Sequence, residues 1–504
     1  MTDTVLETPY LSSLLNELSD NLSSLITDND ISDCTYVNKL MERCVLNSST
    51  LTTLPEVSES FLLMMKNFLQ QDKYYENFNY EELLLLLDNM ISICPFNDIT
   101  KIYSMQDIQQ AILSNVDYLI RIACKIIRNS QPLDYFVTEQ PNQAILNQLL
   151  ELYFEKETSI VIVTEIEKIF TQLSKNFKFR NFILQQNETS LLKIKDFNET
   201  ITTSRLYELL TTELNFMDLE TEFSDSLFLS SKSDIYTAVH SDPFQFISIL
   251  QYCTSTLKHI NYLFKETRLS ESMTQETNKN AKFLIDKIAP ILPVLGTIYK
   301  ENISDVADIA RSYFFQLFRE VSYLPTLSLF RELDSNDILI DHDNSDLLDY
   351  LAFVNPEYLF QYCRDLIVQF IKVEASYLGI WRNCIQHKEL FCLIKDKLTS
   401  KNVLYLPYLE QMVLLDKLSQ YDYSTEFLVN SLPSVMTNLI NDEDENNLVN
   451  PETIELRATV IRNLLEFDEI LLGVWYIPLT SELFKINHPG SYNEAKTKIE
   501  DTFA

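Results

Sequence analysis

The cysteine and histidine side chains with the spacing best suited to a metal lie in one stretch, WRNCIQHKELFCLI, which contains Cys384, His387 and Cys392. Cysteine sulfur and histidine nitrogen are zinc ligands, and residues three apart share one face of a helix. A structural zinc site holds four ligands, and no fourth accompanies these three. The stretch also has the apolar spacing of an amphipathic helix. We therefore interpret the three side chains as parts of a helix.

Two polar stretches imitate other sites. DHDNSD at 341–346 resembles the start of a calcium loop, but its sixth position is Asp346 instead of glycine and its twelfth is Ala352 instead of glutamate. HSD at 240–242 joins a histidine, a serine and an aspartate, yet a triad is defined by geometry in space and not by adjacency in sequence. We predict no catalytic residue, no cofactor and no metal, and we expect a protein that is not an enzyme.

Glycine is scarce. The chain of 504 residues has four, at positions 296, 379, 473 and 490, where average usage would give about 35. Dinucleotide-binding and phosphate-binding loops need several glycines within about eight residues, because the backbone must approach the phosphates closely. The sequence therefore excludes both kinds of loop. Scarce glycine also argues against an all-β fold, whose tight turns require it.

The charge is strongly negative. Forty lysines and arginines stand against 73 acidic residues, so the formal net charge is −33. Nucleic-acid affinity rests on cations that displace condensed counterions, and anionic membranes attract the same cations. We expect no direct nucleic-acid partner and no membrane, and we expect basic protein partners.

The eight cysteines are scattered, and most lie in apolar helical patterns. The first residues lack a basic start with a continuous apolar run, and no stretch approaches the ~20 apolar residues of a membrane span. These features predict reduced thiols and a cytoplasmic protein, with the nucleus as the alternative.

Helical periodicity runs along the whole chain, in segments separated by polar joints. Helix starts are signalled at Ser104 and at the Asn-Pro-Glu triplets of 355–357 and 450–452. The β-branched run 160–164 is the one candidate strand, and we interpret it as a buried helix because its apolar spacing continues to Phe170. The pattern predicts an all-α fold.

Paired helices every ~40 to 45 residues favour a curved solenoid of the HEAT or armadillo kind, with about eleven helical-hairpin repeats. Arginines at equivalent places of three helices, Arg121, Arg311 and Arg457, fit the second helix of such repeats loosely. We expect one continuous array over 1–504, with capping helices in 1–60, repeats in 60–265 and 280–482, and a frayed tail in 485–504. A break near 220–245 or 266–280 stays an alternative.

The turn SQYDYSTE and the run NDEDENN are the candidate binding segments. Tyrosine beside carboxylate is a composition that protein interfaces favour. Tyrosine also closes ordinary helix hairpins, and an acidic run is also an ordinary solvated loop. The candidate partner-binding residues are Glu410, Asp416, Tyr421, Asp422, Tyr423, Glu426, Asp442, Glu443, Asp444 and Glu445.

Six segments of the chain resemble one protein family, and the resemblance extends over residues 60 to 480 in the same order. The segments are LPYLEQM (406–412), YDYSTEFLVNSLPSVMTNLI (421–440), IIRNSQP (126–132), NPEYLFQYCRDLI (355–367), RNLL (462–465) and VWYIPL (474–479). The family is that of the yeast chaperone dedicated to assembling the base of the proteasome regulatory particle. It is also known under the name of DNA mismatch repair, and it is the fungal counterpart of mammalian proteasome non-ATPase regulatory subunit five.

The resemblance implies a curved α-solenoid without catalytic activity. It implies a surface that binds the C-terminal domain of one proteasomal AAA-ATPase subunit, with contacts to the partner ATPase and to the large non-ATPase scaffold subunit of the base. Two alternatives remain at this point. One is a mismatch repair accessory factor that acts through protein contacts, and the other is an acidic HEAT-repeat transport or scaffold protein.

Overall fold

The structure is a computed structural model, and it describes residues 7–27, 34–49, 58–71, 75–138, 140–197, 199–216, 224–269, 274–301, 304–441 and 451–487. Within these ranges the chain is mostly α-helical and contains no β-strand. The prediction of an all-α fold is therefore confirmed. The candidate strand at 160–164 is the start of a helix, and its Ile162 and Val163 are buried.

The chain divides into two compact units. The first comprises residues 1–259 and 270–287, and the second comprises residues 260–269 and 288–504. The single continuous array over 1–504 stays a prediction. No helix in the described ranges is both long and apolar enough to span a membrane.

The helices that begin in the first unit are numbered in chain order. They are α1 (Glu7–Thr27), α2 (Thr35–Ser48), α3 (Ser58–Leu69), α4 (Tyr80–Ile93), α5 (Phe96–Ile102), α6 (Met105–Leu113), α7 (Asp117–Arg128), α8 (Tyr135–Thr138), α9 (Gln140–Phe154), α10 (Ile160–Leu173), α11 (Phe177–Asn181), α12 (Glu188–Phe197), α13 (Thr200–Leu214), α14 (Asp225–Phe228), α15 (Lys232–Ser241), α16 (Pro243–Leu269) and α17 (Thr274–Ile288).

The helices of the second unit follow. They are α18 (Leu292–Glu301), α19 (Ser304–Ser322), α20 (Leu327–Leu333), α21 (Leu347–Phe353), α22 (Pro356–Tyr362), α23 (Arg364–Phe370), α24 (Leu378–Cys384), α25 (Lys388–Ile394), α26 (Ser400–Leu404), α27 (Tyr408–Leu418), α28 (Asp422–Ser431), α29 (Pro433–Ile440), α30 (Pro451–Leu465), α31 (Glu469–Leu472) and α32 (Tyr476–Asn487).

Two of the predicted helix starts show how local sequence sets these boundaries. Ser104 accepts a hydrogen bond from the backbone N–H of Asp107, whose carboxylate accepts one from the N–H of Ser104 in return. Asn355 caps α22 through the N–H of Glu357, and Pro356 occupies the first helical position. Each cap satisfies donors that a helix leaves unpaired at its start. Of the third signal, Asn450 lies outside the described residues.

The first unit is built on a row of stacked helices, in which α4 packs on α7, α7 on α10 and α10 on α13. These helices begin at residues 80, 117, 160 and 200, so successive starts are 37, 43 and 40 residues apart. α10 shows why they stack. Its buried Ile162, Ile166, Ile169 and Leu173 recur at helical spacing and form one stripe, which needs an apolar neighbour.

The second unit has a shorter repeat. α21 packs on α24, α24 on α27 and α27 on α30. The first three of these helices begin at residues 347, 378 and 408, which are 31 and 30 residues apart. Each of these repeats contains three short helices, such as α24, α25 and α26, instead of the predicted hairpin of two. The count of about eleven repeats stays a prediction.

The arginines that suggested helical repeats lie at contacts between helices. The Arg121 guanidinium on α7 binds the Glu81 carboxylate on α4, with 2.6 Å between Nη1 and Oε1. Arg311 on α19 pairs with Asp346, the residue before α21. Arg457 on α30 is buried and donates to the carbonyl oxygens of Leu439 and Ile440 at the end of α29. These side chains therefore connect neighbouring helices along the stack.

Candidate partner-binding site

The turn between α27 and α28 is closed from within. Ser424 is buried, and its hydroxyl donates to the carbonyl oxygen of Leu418 at 2.7 Å. Thr425 donates to the same carbonyl at 3.3 Å. Leu414 and Leu418 on α27 and Leu428 on α28 are buried beneath the turn. Hydroxyl groups and apolar side chains thus fix the point at which the tyrosines and carboxylates are presented.

Tyr421 and Tyr423 form a stacked pair in this turn, with 5.6 Å between their ring centres. The Tyr423 hydroxyl donates to the backbone carbonyl of Ile385 at 2.5 Å, so its ring connects α28 to the preceding repeat. Burial raises the pKa of Tyr423, and the nearby Tyr421 and Asp422 raise it further. The Lys417 ammonium lies over the Tyr421 ring, 5.2 Å from its centre. Both rings are half-buried, and Tyr423 holds two repeats together through its hydroxyl.

The four described carboxylates of the candidate set are placed differently. Asp422 and Glu426 are exposed one turn apart on α28, and Glu426 forms no ion pair with any described residue. Asp416 is half-buried and accepts hydrogen bonds from the side-chain amides of Gln420 and Asn463, both at 3.1 Å.

Asp416 therefore joins α27 to α30. Glu410 is half-buried in the first turn of α27, at the opposite end of that helix from the turn. The structure thus brings Tyr421, Asp422, Tyr423 and Glu426 together. The remaining members of the set, Asp442, Glu443, Asp444 and Glu445, lie outside the described residues.

The neighbouring helices add carboxylates that sequence reasoning missed. α22 packs on α25, and Glu357 and Glu389 occupy the first turns of these helices. The His387 ring nitrogen Nε2 lies 2.8 Å from Oε2 of Glu357, which joins the two helix starts. The Lys388 ammonium at the start of α25 lies 5.9 Å from the centre of the Tyr423 ring on α28.

The starts of α22, α25 and α28 therefore follow one another along one side of the unit. We call the exposed carboxylates at these starts the acidic edge: Glu357, Glu389, Asp422 and Glu426. Carboxylates in the first turn of a helix are stabilised by its dipole, which is a structural reason for their presence. The signal in the sequence was an acidic residue just after each helix start, at intervals of 32 and 33 residues from 357 to 389 to 422.

Cys384, His387 and Cys392, which the sequence offered as zinc ligands, differ in burial and in their contacts. Cys384 is buried in α24, where burial raises the pKa of its thiol. His387 caps α25 by accepting from the N–H of Leu390 through Nδ1, and Cys392 is exposed. In the part of the chain that the structure describes, no three His, Cys, Asp or Glu side chains are arranged to hold a metal ion.

The fold and this site define an all-α helical-repeat protein with an acidic edge on its second unit. Sequence comparison identifies the family. The family described as DNA mismatch repair protein HSM3 matches through its N-terminal domain at residues 14–258 and through its C-terminal domain at residues 281–504. The chain belongs to this HSM3 family.

Three relatives that carry the name "DNA mismatch repair protein HSM3" align over nearly the whole chain. The Saccharomyces cerevisiae protein is 32% identical over 98% of this chain and 99% of its own length. The Eremothecium gossypii protein is 34% identical over 93% of this chain and 94% of its own. The Candida glabrata protein is 32% identical over 97% and 99%. The family resemblance found in the sequence is therefore confirmed.

Proposed function

We propose that the chain is a non-catalytic assembly chaperone for the base of the 19S proteasome regulatory particle. In this proposal its second unit binds the C-terminal domain of one proteasomal AAA-ATPase subunit. Further contacts reach the partner ATPase and the large non-ATPase scaffold subunit of the base, and the chaperone leaves before the 26S proteasome is mature. Full-length membership of the HSM3 family and the resemblance of residues 406–440 to the proteasome chaperone support this function.

The acidic edge is the observation that carries the proposal. Glu357, Glu389 and Asp422 lie in the first turns of α22, α25 and α28, which are one helix from each of three successive repeats, and Glu426 lies one turn further along α28. Stacked repeats therefore hold these carboxylates at fixed separations. Such an arrangement suits a folded partner with a basic surface better than a small molecule. Tyr421, beside Asp422, can supply the apolar contact area that charge alone does not.

An interface of this kind is also suited to a temporary complex. Charge pairs at the rim of an interface speed association, and salt screens them. Interfaces that are large and apolar throughout tend to be permanent. An acidic edge with few aromatic side chains therefore fits a chaperone that must release its client.

The test is to reverse charge on α28 with the double substitution Asp422→Lys and Glu426→Lys. We expect the affinity for the purified ATPase C-terminal domain to fall by at least about tenfold, because attraction becomes repulsion. We also expect binding to depend less on salt. Calorimetry on the full chain at several salt concentrations measures both effects.

The matched control is the double substitution Glu301→Lys and Glu332→Lys. Both residues are exposed in the second unit and lie outside the acidic edge, and the change in net charge is the same. The control should bind within about twofold of the unaltered chain, since long-range attraction through net charge is screened beyond ~10 Å. Equal losses in the two variants would contradict a local binding site.

A mismatch repair accessory factor is the second candidate, because the relatives carry that name. With a net charge of −33 we place its action in protein contacts and not in DNA contacts. Retention on DNA–cellulose at about 0.15 M salt would contradict that placement. Recovery of repair proteins in place of proteasomal ATPases in a pull-down from cells would favour this second candidate.

A further inference from the structure

Three helices that begin in the first unit, α10, α13 and α16, start with exposed apolar side chains. The second residues of α10, α13 and α16 are Val161, Ile201 and Phe244, and these are 46%, 47% and 67% exposed. Ile160, the first residue of α10, is 80% exposed. Single exposed apolar residues need no explanation, whereas apolar side chains that lie together on a surface are typical of interaction sites. We call Ile160, Val161, Ile201 and Phe244 the apolar row.

The starts of α10 and α13 are held beside each other. The Arg205 guanidinium on α13 donates through Nη1 to the carbonyl oxygens of Tyr153 and Glu155 at the end of α9, at 2.8 and 2.6 Å, and through Nη2 to that of Thr158, two residues before α10, at 3.5 Å. The Lys156 ammonium pairs with the Glu199 carboxylate, the cap of α13, at 3.2 Å. These contacts hold the start of α13, with Ile201, beside the turn that leads into α10 and Val161.

The starts of α13 and α16 are held in the same way. The hydroxyls of Ser204 and Ser248, each about one turn into its helix, are 2.7 Å apart. The Tyr207 and Tyr252 rings stack with 5.0 Å between their centres. Thr200 is also hydrogen-bonded to Asp242, just before α16. The starts of α13 and α16 are therefore neighbours, and the apolar row runs across three adjacent helix starts.

We propose that the apolar row is a docking site for an amphipathic α-helix of a protein partner. The partner helix has an apolar residue at every seventh position and a lysine or arginine next to each of these apolar residues. Packed helices lie 8–10 Å apart. Seven residues of an α-helix rise about 10.5 Å and return to the same face, so such a helix presents one apolar side chain to each of α10, α13 and α16. In a β-strand, two residues three positions apart are also about 10 Å apart, but their side chains face opposite sides of the strand. An extended partner segment therefore fits the apolar row poorly.

The charges around the apolar row determine the polar chemistry of the partner. Glu157 lies just before α10 and Glu208 lies two turns into α13, and both are exposed without an ion pair to a described residue. The cations nearby are already engaged, because Lys156 pairs with Glu199 and Arg205 binds backbone carbonyls. The carboxylates available for pairing therefore favour a partner helix with basic residues beside its apolar stripe.

This site lies in the first unit, and the acidic edge of the proposed function lies in the second. The inference adds a second interaction surface, and it does not depend on the identity of the partner at the acidic edge. Failure of one proposal leaves the other unaffected.

The probe is a synthetic helix of about 22 residues with leucine at every seventh position, lysine beside each leucine and a fluorescent label. Anisotropy titration with the full chain should show saturable binding. The double substitution Ile201→Ser and Phe244→Ser should weaken binding by at least about tenfold, because two of the three contacts are lost. Both residues are exposed, so the thermal midpoint of the chain should not change.

Two controls make the titration specific. The double substitution Leu46→Ser and Leu113→Ser removes two other exposed apolar side chains, from α2 and α6, and should change the affinity by less than about twofold. The same peptide with glutamate in place of lysine should bind at least about tenfold more weakly than the basic peptide.

Absence of binding to the unaltered chain would overturn the proposal, as would equal affinity for the Ile201→Ser and Phe244→Ser variant. Self-association of the chain in sedimentation, lost in that variant, would show that a second copy occupies the apolar row, and it would overturn the proposal as well.

Discussion

Glu213 is a carboxyl group buried at the contact between α13 and the end of α10. Its side chain is fully buried and accepts a hydrogen bond from the Ser174 hydroxyl at 2.6 Å. Burial raises the pKa of Glu213 to about 7, although the Ser174 hydrogen bond and the charge of Arg180 act in the opposite direction. The folded chain therefore holds a proton on this carboxyl at a pH where an exposed glutamate has lost it.

The stability of the folded chain depends on pH through the buried carboxyl group of Glu213. Between pH 4.5 and 7 the folded state binds more protons at Glu213 than the unfolded state, so the free energy of unfolding falls as the pH rises. Between pH 4.5 and 7, titration of Glu213 lowers the free energy of unfolding by about 3 kcal/mol, at 1.36 kcal/mol per pH unit. Glu213→Gln removes the titration and keeps an amide that Ser174 can still contact.

Thermal and urea unfolding of both chains from pH 4.5 to 8 tests this dependence. We expect the glutamine variant to gain stability relative to the unaltered chain as the pH rises. A constant difference between the two chains over that range would contradict the assignment.

At the scale of helices, Arg457 connects three elements. It lies on α30, donates to carbonyls at the end of α29, and pairs with the Glu482 carboxylate of α32 at 3.0 Å between Nη2 and Oε1. Both members of the pair are largely buried. Removing Arg457 leaves the two carbonyl groups without this donor, and it leaves the largely buried Glu482 carboxylate with only the Lys485 ammonium, 3.0 Å from Oε2.

Arg457→Ala should therefore destabilise the second unit by about 3–5 kcal/mol, measured by urea unfolding. Arg462→Ala on the same helix is the control. Arg462 is exposed and pairs with exposed Glu455 at 2.9 Å, so its loss should cost less than about 1 kcal/mol. Similar losses for the two substitutions would mean that Arg457 does not hold these helices together.

The helices themselves could be predicted from sequence, because stripes such as that of α10 repeat over several turns. The three-helix repeats of the second unit could not. α23 and α26 contain seven and five residues, too few turns to show a helical period. Asp422 and Glu426 are exposed because they lie on α28 away from its buried apolar side chains, such as Leu428.

The structural roles of Tyr423 and Asp416 did not follow from helical periodicity. Their partners Ile385 and Asn463 are 38 and 47 residues away along the chain, and only the stacking of repeats brings them close.

At the scale of the whole molecule, the two units carry different surfaces. The first unit has the apolar row, and the second has the acidic edge in a chain with a net charge of −33. In the proposed complexes, negative charge over the molecule speeds encounter with basic proteins, and the local carboxylates and apolar side chains determine which surface binds. Stacked repeats suit this division, since each repeat contacts mainly its neighbours and can present its own side chains.

The most direct measurement of the central claim is hydrogen–deuterium exchange of the full chain with and without the purified C-terminal domain of the proteasomal ATPase subunit. The proposal predicts slower exchange of the first-turn amides of α25 and α28 in the complex, because the partner covers the acidic edge. It also predicts that this protection disappears when Asp422 and Glu426 are both replaced by lysine. A stable complex with unchanged exchange at both helix starts would contradict the claim.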